Sequence, residues 1–87
     1  MTTEQSFRAK VYVSLKPTVN DPEGLTIAGA LGSLGFLGVE GVRSGRYFQI
    51  SLHAPDKAAA ETAVSQMCAR LLANPVIETY SFEVEGD

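Results

Sequence analysis

Between Phe7 and Leu15 apolar and polar side chains alternate one by one. Phe7, Ala9, Val11, Val13 and Leu15 stand on one side, Arg8, Lys10, Tyr12 and Ser14 on the other. A period of two is what a strand with one buried face requires, so a first strand is predicted over about Phe7 to Leu15. Lys16-Pro17 breaks it. Asp21 then stands as a helix N-cap, with Pro22 at the first helical position and Glu23 at the positive end of the dipole. The period now changes: Leu25, Ala28, Leu31 and Leu34 recur along one helical face, with Ile27 beside them. Gly29 and Gly32 interrupt that helix, each at a cost of about 1 kcal/mol against alanine. Either the helix is weak or another backbone approaches it closely. Gly35 is placed to end it in a left-handed cap, with Phe36 folding back.

Period two returns in the middle of the chain. Val39 to Arg43, a Ser44-Gly45 turn and Arg46 to His53 read as a hairpin, with Phe48, Ile50 and Leu52 facing inward. Pro55-Asp56 stops the strand and caps a second helix, expected to run to about Ala73 with Ala60, Val64, Met67 and Leu71 as its buried stripe. Asn74-Pro75 ends it. A last strand follows over Val76 to Glu85, with Tyr80, Phe82 and Val84 inward. Strand, helix, strand, strand, helix, strand predicts an α+β, two-layer, βαββαβ ferredoxin-like sandwich: a four-stranded antiparallel sheet with both helices on one face. The opposite face would present Tyr12, Tyr47 and Ile77, an apolar surface suited to another subunit. The architecture hosts many functions and selects none.

Composition narrows the class. The 87 residues allow one domain, expected over 1–87 with 1–6 as a disordered extension, and the 45% apolar content is that of a folded chain. A chain this short buries only about 60–65% of its unfolded surface, which favours association. The net charge of −3 is spread without a basic block, against nucleic-acid binding. Cys68 is the single cysteine, so no internal disulfide and no cysteine-based zinc cluster can form. No signal core and no membrane-length apolar run is present, and a cytoplasmic setting is expected.

Candidates for chemistry are few. His53 has neither an orienting partner nor a nucleophile marked in the sequence, so an exposed spectator is the plainer account. Cys68 reads as a structural cysteine. Scattered carboxylates and one histidine make no metal site, and Gly38-Val39-Glu40-Gly41 lacks the strand-to-helix setting of a phosphate loop. Two loops stand out. Lys16 to Gly24 is long for its crossover, which is either slack or purpose. Arg43-Ser44-Gly45-Arg46-Tyr47 sets two guanidinium groups and an aromatic around a turn, the residue types that anchor interfaces, although a solvated hairpin end accounts for them equally well.

Three stretches in register, Val11 to Gly24, Gly38 to Ile50 and Met67 to Glu85, resemble the PurS family, the small subunits of phosphoribosylformylglycinamidine (FGAM) synthase. The resemblance rests on Lys16 with Asp21-Pro22 and Gly24, on Val42-Arg43 with Gly45, and on Leu71 to Asn74 followed by Pro75 to Glu78. The sequence departs from the family pattern at Arg46, commonly lysine, at Asn20, often apolar, and in the extension over Met1 to Ser6. Arginine and lysine bind differently, which leaves the role of Arg46 open. The resemblance implies a part in de novo purine synthesis. A glutaminase subunit, PurQ, releases ammonia, and a large ATP- and magnesium-dependent synthetase, PurL, forms the amidine. The small subunit bridges them, supports ammonia transfer, and has neither an active site nor a cofactor of its own. Docking residues are then expected at Lys16, Asp21, Gly24, Arg43, Gly45, Arg46 and Tyr47, in a homo-oligomer, dimer or tetramer. The competing expectation is a ferredoxin-like regulatory module that binds a small molecule as a dimer.

Overall fold

A computed structural model describes residues 4–86. Strand β1, Gln5–Leu15, is the centre of a three-stranded antiparallel sheet, flanked by β2, Gly45–Ala54, and β3, Glu78–Gly86, in the order β2-β1-β3. The register stacks the apolar positions in rows across the sheet. Val11 lies between Phe48 and Phe82, and Ala9 between Ile50 and Val84. Against this face packs helix α2, Lys57–Met67, prolonged by a π-turn over Cys68–Leu72. Asp56 caps α2 as expected, its carboxylate accepting from the Ala59 N–H at 2.8 Å. The core is Phe7, Ala9, Val11 and Val13 from β1 and Val84 from β3, closed by Ala60, Val64 and Cys68.

The expected four-stranded sheet is not formed. Val39–Arg43 builds no strand, and no hairpin turns at Ser44-Gly45. Instead β2 begins at Gly45 and pairs directly with β1, Ser14 opposite Gly45. The reason lies in helix α1, Pro22–Ser33. It does not lie on the sheet beside α2, so the expected pair of helices on one face is absent as well. It projects from the Leu15 end of β1, and residues 34–44 run back along it, which leaves Val39–Arg43 without a neighbouring strand. The helix ends as the sequence indicates. Gly35 has φ +98°, the Gly35 N–H reaches the Gly32 carbonyl at 3.0 Å, and the Phe36 N–H reaches that of Leu31 at 3.0 Å. Leu25 and Leu34, expected in the core, are 65 and 73% exposed. Among the described residues nothing outside the helix lies within 4 Å of a Cβ placed at Gly29 or Gly32.

Three smaller corrections follow from the same geometry. The π-turn inserts an extra residue at the end of α2, where the Ala73 N–H bonds to the Cys68 carbonyl at 3.0 Å. The buried stripe therefore runs Ala60, Val64, Cys68, while Met67 is half-buried and Leu71 is turned to the outside. Tyr80 is on the inner face but beyond the reach of α2, and it remains exposed. Gln5 and Ser6, expected in a disordered extension, open β1 opposite Ala54 and His53, and the rest of that extension, 1–3, lies outside the described residues.

Candidate functional site

The corner where β1 ends, α1 leaves and β2 begins is organised by one carboxylate. Asp21 is 3% exposed. As N-cap of α1 it accepts from the Gly24 N–H at 2.9 Å. Its two oxygens also take the Ser44 N–H at 2.6 Å and the Ser44 hydroxyl at 2.9 and 3.1 Å. The carboxylate thus fastens the outgoing helix to the returning chain. The N–H groups of Gly24 and Ser44 hold its pKa below the ordinary aspartate value, with the Ser44 hydroxyl and the Arg43 charge adding to the effect. Two glycines permit the closeness. A Cβ at Gly24 would run into the Val42 carbonyl, and one at Gly45 into the Val13 carbonyl.

Arg43 closes the other side of the corner. Its guanidinium donates to the Lys16 carbonyl at 3.0 Å and the Val19 carbonyl at 2.9 Å, so it ties down the long loop between β1 and α1. Lys16 is itself anchored by its backbone, its N–H donating to the Ile77 carbonyl at 2.8 Å. That loop is therefore pinned at both ends rather than slack.

Arg46 and Tyr47 do not act side by side. Successive residues of a strand point to opposite faces. Arg46, opposite Val13, lies over the Phe48 ring at 5.7 Å and reaches the Glu78 carboxylate at 2.8 Å and the Leu72 carbonyl at 3.2 Å. Glu78 also accepts from the Asn74 N–H at 2.7 Å, which with the arginine holds its pKa below the ordinary glutamate value. Tyr47, opposite Tyr12, stacks on that ring at 5.2 Å between centroids on the open face of the sheet.

Lys16, Asp21, Gly24, Arg43 and Gly45 are thus gathered at one corner, with Arg46 and Tyr47 leaving it in opposite directions. A groove of about 410 Å³ opens there, walled by Ser14 and Leu15, Asp21 to Glu23, Ser44 to Arg46 and Glu78. Ser44 and Glu78 are the participants that sequence reasoning missed. Each sits beside a residue that it singled out, but its partner is far along the chain. His53 stands at the opposite end of β2, and Cys68 is fully buried, its thiol pKa raised by burial. Among the described residues no group of three or more His, Cys, Asp or Glu could hold a metal ion, and no helix is long and apolar enough to cross a membrane.

Comparison with known proteins identifies the frame on which this corner is built. Residues 8–86 match the PurS family, described as phosphoribosylformylglycinamidine (FGAM) synthase. The PurS subunit of phosphoribosylformylglycinamidine synthase from Synechocystis is 46% identical over 91% of this chain and 79% of its own length. That from Bacillus subtilis is 43% identical over 91 and 93%. Among solved structures, Bacillus subtilis PurS aligns with a TM-score of 0.80 at 42% identity over 91% of this chain and 98% of that one. A chain of PurLQS from Thermotoga maritima aligns with 0.82 at 33% identity over 94 and 98%. The chain belongs to the PurS family and is the PurS subunit of FGAM synthase in purine biosynthesis.

Proposed function

We propose that this chain, as one PurS-like domain over 1–87, docks the ATP- and magnesium-dependent synthetase PurL to the glutaminase PurQ in the cytoplasm, and that it does so as a homo-oligomer. In this reading it carries no chemistry itself. It holds the two catalytic subunits in the geometry that lets ammonia pass from one to the other. The observation behind the reading is how the charged groups of the corner are used. Asp21, Arg43 and Arg46 direct their hydrogen bonds to the chain's own backbone and to Ser44 and Glu78, which makes a rigid, shaped surface. A docking surface needs shape and a few anchors. The likeness to a chain of PurLQS supports the choice of partners.

The roles then divide. Asp21, Gly24, Arg43, Gly45 and Arg46 shape the corner, and Lys16 and Tyr47 are the anchors offered to a partner. The test compares glutamine-dependent with ammonia-dependent amidine formation in the complex reconstituted with purified PurL and PurQ. Lys16→Glu and Tyr47→Ala should slow the glutamine reaction by at least about tenfold, the equivalent of 1.4 kcal/mol of docking energy. The ammonia reaction should stay within about twofold. Equal loss in both reactions would mean that the chain activates the synthetase, and no loss in either would remove the corner from docking.

A further inference from the structure

Glu78 opens β3 at the rim of the sheet, yet its side chain is only 14% exposed. A carboxylate drawn that far from water needs partners, and it has two. One guanidinium nitrogen of Arg46 stands 2.8 Å from both its oxygens, and the Asn74 N–H donates to it at 2.7 Å. The same nitrogen of Arg46 donates to the Leu72 carbonyl at 3.2 Å, at the open end of the π-turn. The start of β2, the end of the π-turn and the start of β3 are thus held at one point.

The turn that leads into Glu78 is fixed from that point. The Asn74 carbonyl accepts from the Glu78 N–H at 2.7 Å and the Ile77 N–H at 3.2 Å, and the Asn74 side-chain oxygen accepts from the Val76 N–H at 3.0 Å. The Ile77 carbonyl in turn accepts from the Lys16 N–H at 2.8 Å. Lys16 is the first residue beyond the β1–β3 ladder, whose last pair is Leu15 opposite Glu78. Its backbone rests on the turn through its N–H and on Arg43 through its carbonyl, at 3.0 Å. Its charge is left available. Among the described residues the ion pairs are Lys10–Glu85 and Arg46–Glu78, and Lys16 has none.

We propose that Arg46 and Glu78 are positioning residues: their contact locks the Asn74–Glu78 turn, and the turn sets Lys16 where it meets a catalytic subunit. The proposal rests on the docking role given to Lys16 above and names what holds that residue in place. The first test needs no partner. Amide exchange followed by NMR on the isolated chain compares the opening of the Lys16 N–H with that of Val11, in the middle of β1. Glu78→Ala should raise the ratio of the two rates at least about tenfold, and so should Arg46→Met, which keeps an apolar stem against Phe48. Arg46→Lys should leave the ratio within about twofold, because all three acceptors are met by one nitrogen and an ammonium carries three donors on one atom. Arg46→Glu with Glu78→Arg restores an ion pair but leaves the Asn74 N–H without its acceptor, so the ratio should stay high. A ratio unmoved by Glu78→Ala overturns the proposal, and so does a wild-type ratio in the exchanged pair. The second test uses the complex reconstituted with PurL and PurQ. Glu78→Ala should slow the glutamine-dependent reaction at least about fivefold, and in a Lys16→Glu background it should add no more than about twofold, since it acts through Lys16. Losses that multiply overturn the positioning role. A silent Lys16→Glu points instead to the docking reading as the failure, with the exchange ratios deciding whether Arg46 and Glu78 hold Lys16.

Discussion

Asp21 caps α1, is buried and is shared between two segments, and each of those conditions has a measurable consequence. A carboxyl whose pKa lies below its unfolded value adds stability that is fully present above the unfolded pKa and is lost as pH falls through the folded one. Asp21 and Glu78 are both of this kind. Stability measured by urea unfolding should therefore be level from pH 7 to about 5 and decline progressively below that, where unfolded carboxyls begin to take up protons. Asp21→Asn should lower stability at pH 7 and flatten that acid decline. A decline as steep as the wild type's would place the sensitivity elsewhere. At the neighbouring positions, Gly24→Ala and Gly45→Ala force a Cβ against a fixed carbonyl, and each should cost about 1–3 kcal/mol. The cap was legible in the sequence because Asp21, Pro22 and Gly24 are local. The Ser44 contact was not, because nothing in a one-dimensional pattern joins positions that meet only when α1 and its return are both in place. Arg43 illustrates the same limit: its residue type suggested a partner anchor, and one nitrogen of its guanidinium is spent on the Lys16 and Val19 carbonyls.

Elements whose periodicity was long and unbroken could be read from the chain; those that depend on a local insertion could not. β1 and the inward rows of β2 follow the alternation directly, and both helix starts follow their aspartates. The end of α2 does not, since a straight 3.6-residue period leads to Met67 and Leu71 while the π-turn rotates Cys68 into the core. The distinction can be tested by truncation. Val64→Ala removes two fully buried methyl groups and should cost about 2 kcal/mol, counting about 0.8 kcal/mol per carbon and a residual cavity. Met67→Ala removes a larger side chain, but a half-buried one, and should cost less. The check is the shift in urea midpoint at unchanged slope.

For the whole molecule, the ferredoxin-like reading assumed that a small chain covers its own apolar surface. Under that assumption both helices had to lie on the sheet, and a fourth strand had to carry the chain between them. The structure keeps the order of apolar segments but not their intramolecular cover, so the helix count and strand alternation were legible while the projection of α1 was not. Only the density of exposed leucine and phenylalanine in three dimensions reveals it. The interior, by contrast, holds a reporter of its own. Cys68, the only thiol in the chain, is 0% exposed beneath the junction of α2 and the π-turn. A disulfide reagent can therefore reach it only through an opening of the structure, and the labelling rate becomes a clock for that opening. Labelling of the native chain should be slower than that of the urea-unfolded chain by the opening equilibrium, a factor of about a thousand or more for a domain of ordinary stability. Val64→Ala should speed it about thirtyfold, the factor that corresponds to 2 kcal/mol. Unchanged labelling in that variant would show that the π-turn frays on its own, apart from the sheet it covers.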